Sequence, residues 1–310
     1  MLFSFIFYRK YIFYIPKKYS TKHIYYEKLI FLLYIIYCIL YNIHHILIAM
    51  TTELLLRYNP SAKYEICIDE VGRGPLFGRV YVGAVILPVP LLPILDGIHI
   101  GEEDNITTDK GKKRGRKTKP ISYTDIKDSK KFSSKSRIQQ VSDFIKEKSQ
   151  FWTIKYAESS VIDEINILQA VFKCMHECIT ELVAKIGEVD SDFNPRNDLQ
   201  ILVDGDKFKP YMWYDCEKQA IVELSAQTIE KGDATYMGIA AASIIAKVEH
   251  DSYIHNLCEK YPILNERYGL ENNVGYGTKK HMDAIREHGI TQWHRKSFAP
   301  CKGCPVSYIS

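Results

Sequence analysis

The chain has 310 residues and a formal charge of +4, a length that suits one large domain or a core domain with appendages. Six Lys or Arg against a single Glu fall in residues 1–49, so the remaining 261 residues hold 35 basic and 36 acidic groups; this excludes a uniformly basic body and leaves any nucleic-acid surface local. The eight cysteines, at 38, 67, 174, 178, 216, 258, 301 and 304, make no disulfide framework, which points to a reducing, intracellular compartment, cytoplasmic or nuclear.

Residues 1–49 are dense in Ile, Tyr, Phe and Leu, and 29–41 run apolar or Tyr without a break. That run is shorter than the about 20 residues of a membrane-spanning helix, and Asn42, His44 and His45 interrupt before 46–49 resume. Three readings stand side by side: a short membrane anchor, a packed or targeting extension, and residues upstream of a true start at Met50. A secretory signal is not expected, because the apolar segment lies far from the N-terminus with no small-residue cleavage site after it.

Strong β-formers at 64–68 and 80–87 predict two strands. Between them stand Asp69-Glu70-Val71-Gly72-Arg73-Gly74, adjacent carboxylates followed at once by a Gly-Arg-Gly turn. Neighbouring carboxylates repel unless a cation joins them, so the segment reads as a metal site beside a phosphate clamp, against the plainer reading of a charged hairpin turn. Pro88, Pro90 and Pro93 end the second strand, and a polar insertion covers about 97–127. Its residues 109–119 carry seven basic groups and one acid, which suits a solvated loop, nonspecific phosphate contact or a localisation signal.

Ser133 or Ser134 is placed to cap a helix reaching Glu147, and 151–157 reads as the next strand. Helical spacing of Ile165, Leu168, Val171, Met175 and Ile179 predicts a helix over 160–186, followed by an acidic linker over 187–198. The apolar run 201–203 leads into Asp204-Gly205-Asp206, and 221–229 predicts a strand ending near Gly232-Asp233. The small-residue block 240–248 predicts a close-packing helix that continues past Asp251 toward Glu259. Beyond it come Gly275-Tyr276, a short helix over 280–287 and His294-Arg295-Lys296-Ser297-Phe298. Cys301 and Cys304 have the spacing of a metal knuckle, but no second pair completes the four ligands that a zinc site needs.

Taken in order, these segments resemble the type 2 ribonucleases H, the ribonuclease HII family. The match runs from Tyr64 to about Pro300 through 69–78, Asp128-Ser129-Lys130-Lys131, 162–167, Val203-Asp204-Gly205, Lys231-Gly232-Asp233, 240–248 with Asp251, Gly275-Tyr276 and 294–298. The resemblance implies an α/β, ribonuclease H-like fold, a mixed five-stranded sheet flanked by helices, with a helical substrate-binding part at about 252–310. It implies hydrolysis of the RNA strand of RNA-DNA hybrids and nicking of duplex DNA at embedded ribonucleotides, giving 5'-phosphate and 3'-hydroxyl ends. Asp69, Glu70, Asp204 and Asp233 then become the catalytic acids, holding two Mg²⁺ or Mn²⁺ ions. Residues 50–310 form the catalytic region, expected to act as a monomer. The N-terminal extension, the basic insertion and the 29-residue interval from Asp204 to Asp233 depart from the family pattern.

Gly72, Arg73 and Gly74 are expected at the substrate, since paired glycines let a backbone come close on both sides of a cationic fork. The resemblance adds Tyr276, packing against the sugar after the ribonucleotide. Lys130, Lys131, Lys247, His294 and Arg295 are plausible backbone contacts for a duplex. Asp251 is a competing fourth ligand, held instead as an acid behind the metal site and paired with Lys247 four residues earlier. A binding module that does not cut, and a related DNA-cutting phosphotransferase, are the alternatives to an endoribonuclease.

Overall fold

The structure is a computed structural model that describes residues 54–88 and 120–310; the expectations for residues 1–49 and for the basic run 109–119 lie outside them. Strand β1 (Tyr64–Val71) pairs antiparallel with β2 (Val80–Ile86) through the loop 72–79. Helix α1 (Lys135–Lys148) follows, started by the Ser134 hydroxyl accepting from Arg137 N. Then come β3 (Phe151–Ala157), helix α2 (Ser159–Ile165) and helix α3 (Ile167–Val189). After the single turn α4 (Pro195–Asp198), β4 (Leu199–Asp204) lies parallel to β1. The hairpin of β5 (Met212–Asp215) and β6 (Ala220–Glu223) leads to β7 (Ala226–Ile229), parallel to β4. The main sheet is therefore mixed and five-stranded, ordered β3-β2-β1-β4-β7, with β1 central, as the sequence predicts.

Alternation along β2 divides the core. Val80, Val82, Ala84 and Ile86 face α3, where Val171, Cys174, Met175, Cys178 and Ile179 cover them. Val85 faces the opposite side, against α5 (Met237–Lys260) and α1. The first ten residues of α5, Met237 to Ala246, are all buried, the pattern of a core helix rather than an amphipathic surface one. Its small side chains let it approach the sheet closely. At Gly83 an added Cβ would meet the Ala242 carbonyl oxygen at 2.3 Å.

Three boundaries differ from the sequence reading. Strand β1 runs on to Val71, so Asp69 and Glu70 sit within the strand rather than after it. The helix expected over 160–186 is two helices, broken at Asn166, whose φ of 67° and ψ of 161° no helix can hold. The Asn166 side chain accepts from Leu168 N and Gln169 N and starts α3 afresh, a cap that the helical periodicity hides. Helix α3 then passes through Gly187 to Val189, into the expected linker. The strand expected over 221–229 is split at Leu224 and Ser225: Leu224 N donates to Tyr211 O, and Ser225 O accepts from Ile201 N at 3.0 Å, so only β7 joins the main sheet.

The C-terminal part holds α6 (Pro262–Tyr268), α7 (Leu270–Asn273), α8 (Lys279–His288) and the short pair β8 (Ile290–Thr291) with β9 (Val306–Ser307). Leu76 and Phe77 of the loop 72–79 pack into this layer beside Ile254, Leu264, Tyr268 and Ile285. No helix among the described residues is long and apolar enough to cross a membrane.

Within this layer His294 Nδ1 accepts from Thr291 N at 2.9 Å, and its Nε2 lies 3.1 Å from His281 Nε2. The proton between them therefore belongs to His294, and His281 donates from Nδ1 to the Tyr276 carbonyl at 3.0 Å. Both rings are neutral. Burial pushes His294 down to about 3, with the neighbouring His281 adding to it, and burial likewise lowers His281. The unfolded chain protonates these groups near pH 6.5 while the folded chain resists, so their contribution is complete above about pH 6.5 and is lost as pH falls toward about 3. Unfolding free energy measured by urea titration should fall across that window, and His294→Asn should flatten the slope by about one proton.

Candidate active site

The register of β1 and β4 assembles the acids. Ile68 lies beside Val203, the last pair of the parallel ladder, so the next residues, Asp69 and Asp204, stand together just past the pairing of the two strands. Strand β7, on the other side of β4, runs into a tight turn over Gly232–Ala234 that carries Asp233. Gly232 N donates to Asp204 Oδ1 at 2.6 Å and ties this turn to the end of β4. Asp69 Oδ1 accepts from Glu70 N at 2.7 Å, and Ser243 of α5, whose hydroxyl lies 3.0 Å from that of Ser129, acts to lower its pKa.

Burial pushes the Asp69 carboxyl well above the ordinary carboxylate range, and Glu70 and Asp204 add to the effect by repulsion. Glu70 is also raised, by burial and by Asp204, against the opposing pull of Arg73. Burial and then Asp233 raise Asp204. Two cations answer this charge from the protein itself. Arg73 lies 3.0 Å from Glu70 Oε1, and Lys130 Nζ lies 3.3 Å from Asp233 Oδ2. Burial works against the Lys130 charge, but the carboxylate outweighs it and the pKa of Lys130 rises.

Among the described residues no group of three or more His, Cys, Asp or Glu side chains is arranged to hold a metal ion. The donors are nonetheless those that a hard divalent cation takes, all carboxylate oxygens with surplus negative charge. Glu70 Oε2 is buried with no hydrogen-bond partner, and a cation beside it would satisfy that oxygen while lowering every raised carboxyl in the group.

The Gly-Arg-Gly turn stands next to these acids. Gly72 is buried with φ of +90°, and a Cβ there would meet the His250 ring at 2.7 Å, so only glycine fits. Arg73 and Gly74 are exposed. Tyr276, 45% exposed, packs beside Gly74, where an added Cβ would lie 3.2 Å from its ring. Turn and tyrosine, some 200 residues apart in the chain, thus share one surface.

Two expected substrate contacts are corrected. His294 and Arg295 are fully buried and spend their hydrogen bonds inside the protein, so neither is free to touch a nucleic-acid backbone. Lys130 is engaged with Asp233, and Lys131 is exposed. Asp251 is bonded through one oxygen to Lys247 Nζ at 2.8 Å and through the other to His250 Nδ1 at 3.0 Å. These partners overcome burial and lower its pKa, unlike the raised acids across the site. Sequence reasoning did not single out Ser243 or His250, though one lies in the small-residue block and the other adjoins Asp251.

A narrow cleft beside Glu70 and Asp204 is lined by Arg73, Gly205 and Lys207, with Phe172 and Met175 of α3 forming its apolar wall. A larger cavity follows the open edge of β3, along Arg79, Tyr81 and Trp152. It contains none of the four acids.

The family model for ribonuclease HII matches residues 114–301. Ribonuclease HII of Nitrosomonas europaea is 34% identical over 250 residues, 81% of this chain and 89% of its own. That of Parabacteroides distasonis is 34% identical over 245 residues, 79% of this chain and 94% of its own, and that of Trichormus variabilis 36% over 237 residues, 76% and 81%. The family model takes in Asp204, Asp233 and most of the C-terminal layer, and with relatives 34–36% identical over three quarters or more of its length the chain belongs to the ribonuclease HII family.

Proposed function

We propose that this protein is a metal-dependent endonuclease that hydrolyses the RNA strand of RNA-DNA hybrids and nicks duplex DNA at embedded ribonucleotides, leaving 5'-phosphate and 3'-hydroxyl ends. The observation that carries the reading is the convergence of Asp69 and Asp204 just past the parallel pairing of β1 with β4, with Glu70 and the Asp233 turn beside them, next to a Gly-Arg-Gly turn flanked by Tyr276. Asp69, Glu70, Asp204 and Asp233 would hold two Mg²⁺ or Mn²⁺ ions. When bound, such ions activate water and offset charge on the scissile phosphate and the departing 3'-oxygen.

The protein's own groups divide the remaining work. Asp204 is held by Gly232 N and Asp69 by Glu70 N, so both carboxylates keep one orientation before substrate arrives. Arg73, half exposed beside Glu70, offers a forked donor to a backbone phosphate. Tyr276 offers an aromatic face to a sugar, and the exposed backbone of Arg73 and Gly74 can sense a 2'-hydroxyl, the group that separates RNA from DNA without reading bases. Recognition of this kind tolerates any base sequence.

The purified protein, given Mg²⁺ or Mn²⁺, should cut DNA carrying one ribonucleotide on the 5' side of a phosphate and leave all-DNA duplex intact. Tight binding without cutting would favour a binding module, and equal cutting of all-DNA duplex a DNA-cutting phosphotransferase. Asp69→Asn and Asp204→Asn should each lower kcat by about 10²-fold or more. Each also removes a repelling charge, so its metal-free melting temperature should match or exceed the parent's, while the rise on adding Mn²⁺ should shrink. A lower melting temperature with an intact metal response would move the acids out of the metal site.

Tyr276→Ala leaves every proposed metal ligand in place. Losing the ring's apolar contact with a sugar should cost about 1–2 kcal/mol at about 25 cal/mol per Å², so kcat/KM at a lone ribonucleotide should drop about tenfold more than within a long hybrid. Equal losses on the two substrates would remove Tyr276 from sugar recognition.

A further inference from the structure

Arg295 is one of the largest fully buried side chains among the described residues, and it makes four hydrogen bonds to one loop. Its Nη2 donates to Gly72 O at 2.6 Å and to Arg79 O at 2.9 Å, Nη1 to Arg73 O at 2.9 Å, and Nε to Gly78 O at 3.0 Å. The guanidinium thus bolts together the two arms of the loop 72–79, incoming from β1 and outgoing to β2. Burial lowers its pKa to about 10, so it stays charged at neutral pH.

This grip has a consequence for the exposed side of the turn. In a trans peptide the C=O and the following N–H point in opposite directions. With the Gly72 and Arg73 carbonyls both drawn inward to Arg295, the amides of Arg73 and Gly74 must face outward. Neither amide meets a hydrogen-bond acceptor among the described residues. The result is a pair of consecutive outward donors, the arrangement that receives an anionic or hydroxyl oxygen.

Arg295 is itself held from outside. The segment that follows it is fastened to α2 by Asp163, which accepts from Lys296 N at 2.9 Å, Ser297 N at 2.8 Å and the Ser297 hydroxyl at 2.6 Å. The guanidinium lies 5.1 Å from the Phe298 ring centre. We infer that Asp163 and Arg295 are positioning residues for sugar-phosphate recognition: Asp163 fixes the turn at 296–297, that turn fixes Arg295, and Arg295 sets the outward amides of Arg73 and Gly74. The inference rests on the proposed reading of the Gly-Arg-Gly turn and gives its specificity a structural origin outside the substrate-facing surface.

The test compares kcat/KM on a duplex with one ribonucleotide and on a long RNA-DNA hybrid, under the same metal conditions. Arg295→Lys keeps the charge but cannot span four carbonyls from one ammonium, and should lower the lone-ribonucleotide to hybrid ratio about tenfold, the scale of one or two lost hydrogen bonds. Asp163→Ala alters only a surface carboxylate and keeps the inference testable if Arg295→Lys does not fold; it should lower the ratio about threefold, mostly through KM, as expected for losing part of that hydrogen bonding. Asp163→Asn, which keeps an acceptor oxygen, should recover most of it. Tyr268→Phe removes a buried hydroxyl bond to Gly289 O in the same layer and should reduce stability with the ratio unchanged. A ratio that stays constant in Asp163→Ala, or that falls equally in Tyr268→Phe, overturns the positioning role. Failure of the parent protein to cut at the ribonucleotide would instead overturn the functional reading beneath it.

Discussion

Parallel pairing of β1 with β4 imposes the constraint around which this protein is built: it delivers buried carboxylates to the same place from adjacent strands. Two carboxylates 4 Å apart repel by about 4 kcal/mol at an effective dielectric constant of 20, against about 1 kcal/mol gained from a neutral hydrogen bond. The bonds that Gly232 N and Glu70 N make to Asp204 and Asp69 therefore orient the acids without balancing them. Arg73 and Lys130 balance the outer members of the group, Glu70 and Asp233. Between them the charge is left over, and that surplus is the chemical reason to place divalent cations here.

On the proposed reading, the second demand is a turn that approaches a nucleic-acid strand with its backbone. A turn with two glycines has little stiffness of its own, so its conformation has to come from what packs beneath it. Here the C-terminal layer supplies that support. Leu76 N donates to Gly275 O, Gly78 N to Trp293 O, and Arg295 N to Leu76 O. His250 fills the space under Gly72, and the His294–His281 pair carries a hydrogen-bond chain to the Tyr276 carbonyl. The C-terminal part is thus less an independent binding lobe than the back wall of the turn.

Much of this was legible in the sequence, and the reasons are specific. β1 and β2 are largely buried on both faces and rich in β-formers, with Glu65 the one charged residue of β1 before its acids, and the Gly-Arg-Gly turn between them is plain punctuation. Ser134 and the block at 240–248 announce their helices by local chemistry. Asn166 does not, since an Asn inside a helical period resembles any exposed polar position until its backbone is seen at positive φ. Arg295 was misread for a related reason. An arginine near a nucleic-acid site suggests phosphate, and its true partners, four carbonyls more than 200 residues away, leave no trace at its own position. Lys130 has a similarly distant partner in Asp233, which sequence distance conceals, though its side chain stays exposed.

The arrangement also ties recognition to reaction. Glu70 closes the acid group and Arg73 opens the turn, and the two are joined by an ion pair at 3.0 Å with only Val71 and Gly72 between them. β1 passes into the turn without a linker, and Arg295 holds the Gly72 and Arg73 carbonyls on the far side. A displacement of the turn by even a fraction of an ångström is therefore passed to the Glu70 carboxylate, whose second oxygen is the unpartnered one. Arg73 likewise serves either Glu70 or a phosphate. A strand that draws its guanidinium away removes the charge that offsets Glu70, and the carboxylate then has a stronger electrostatic demand for a cation. On the proposed reading, the chemistry of the acids and the sensing of the sugar are two ends of one rigid segment, and a substrate seated correctly at one end readies the other.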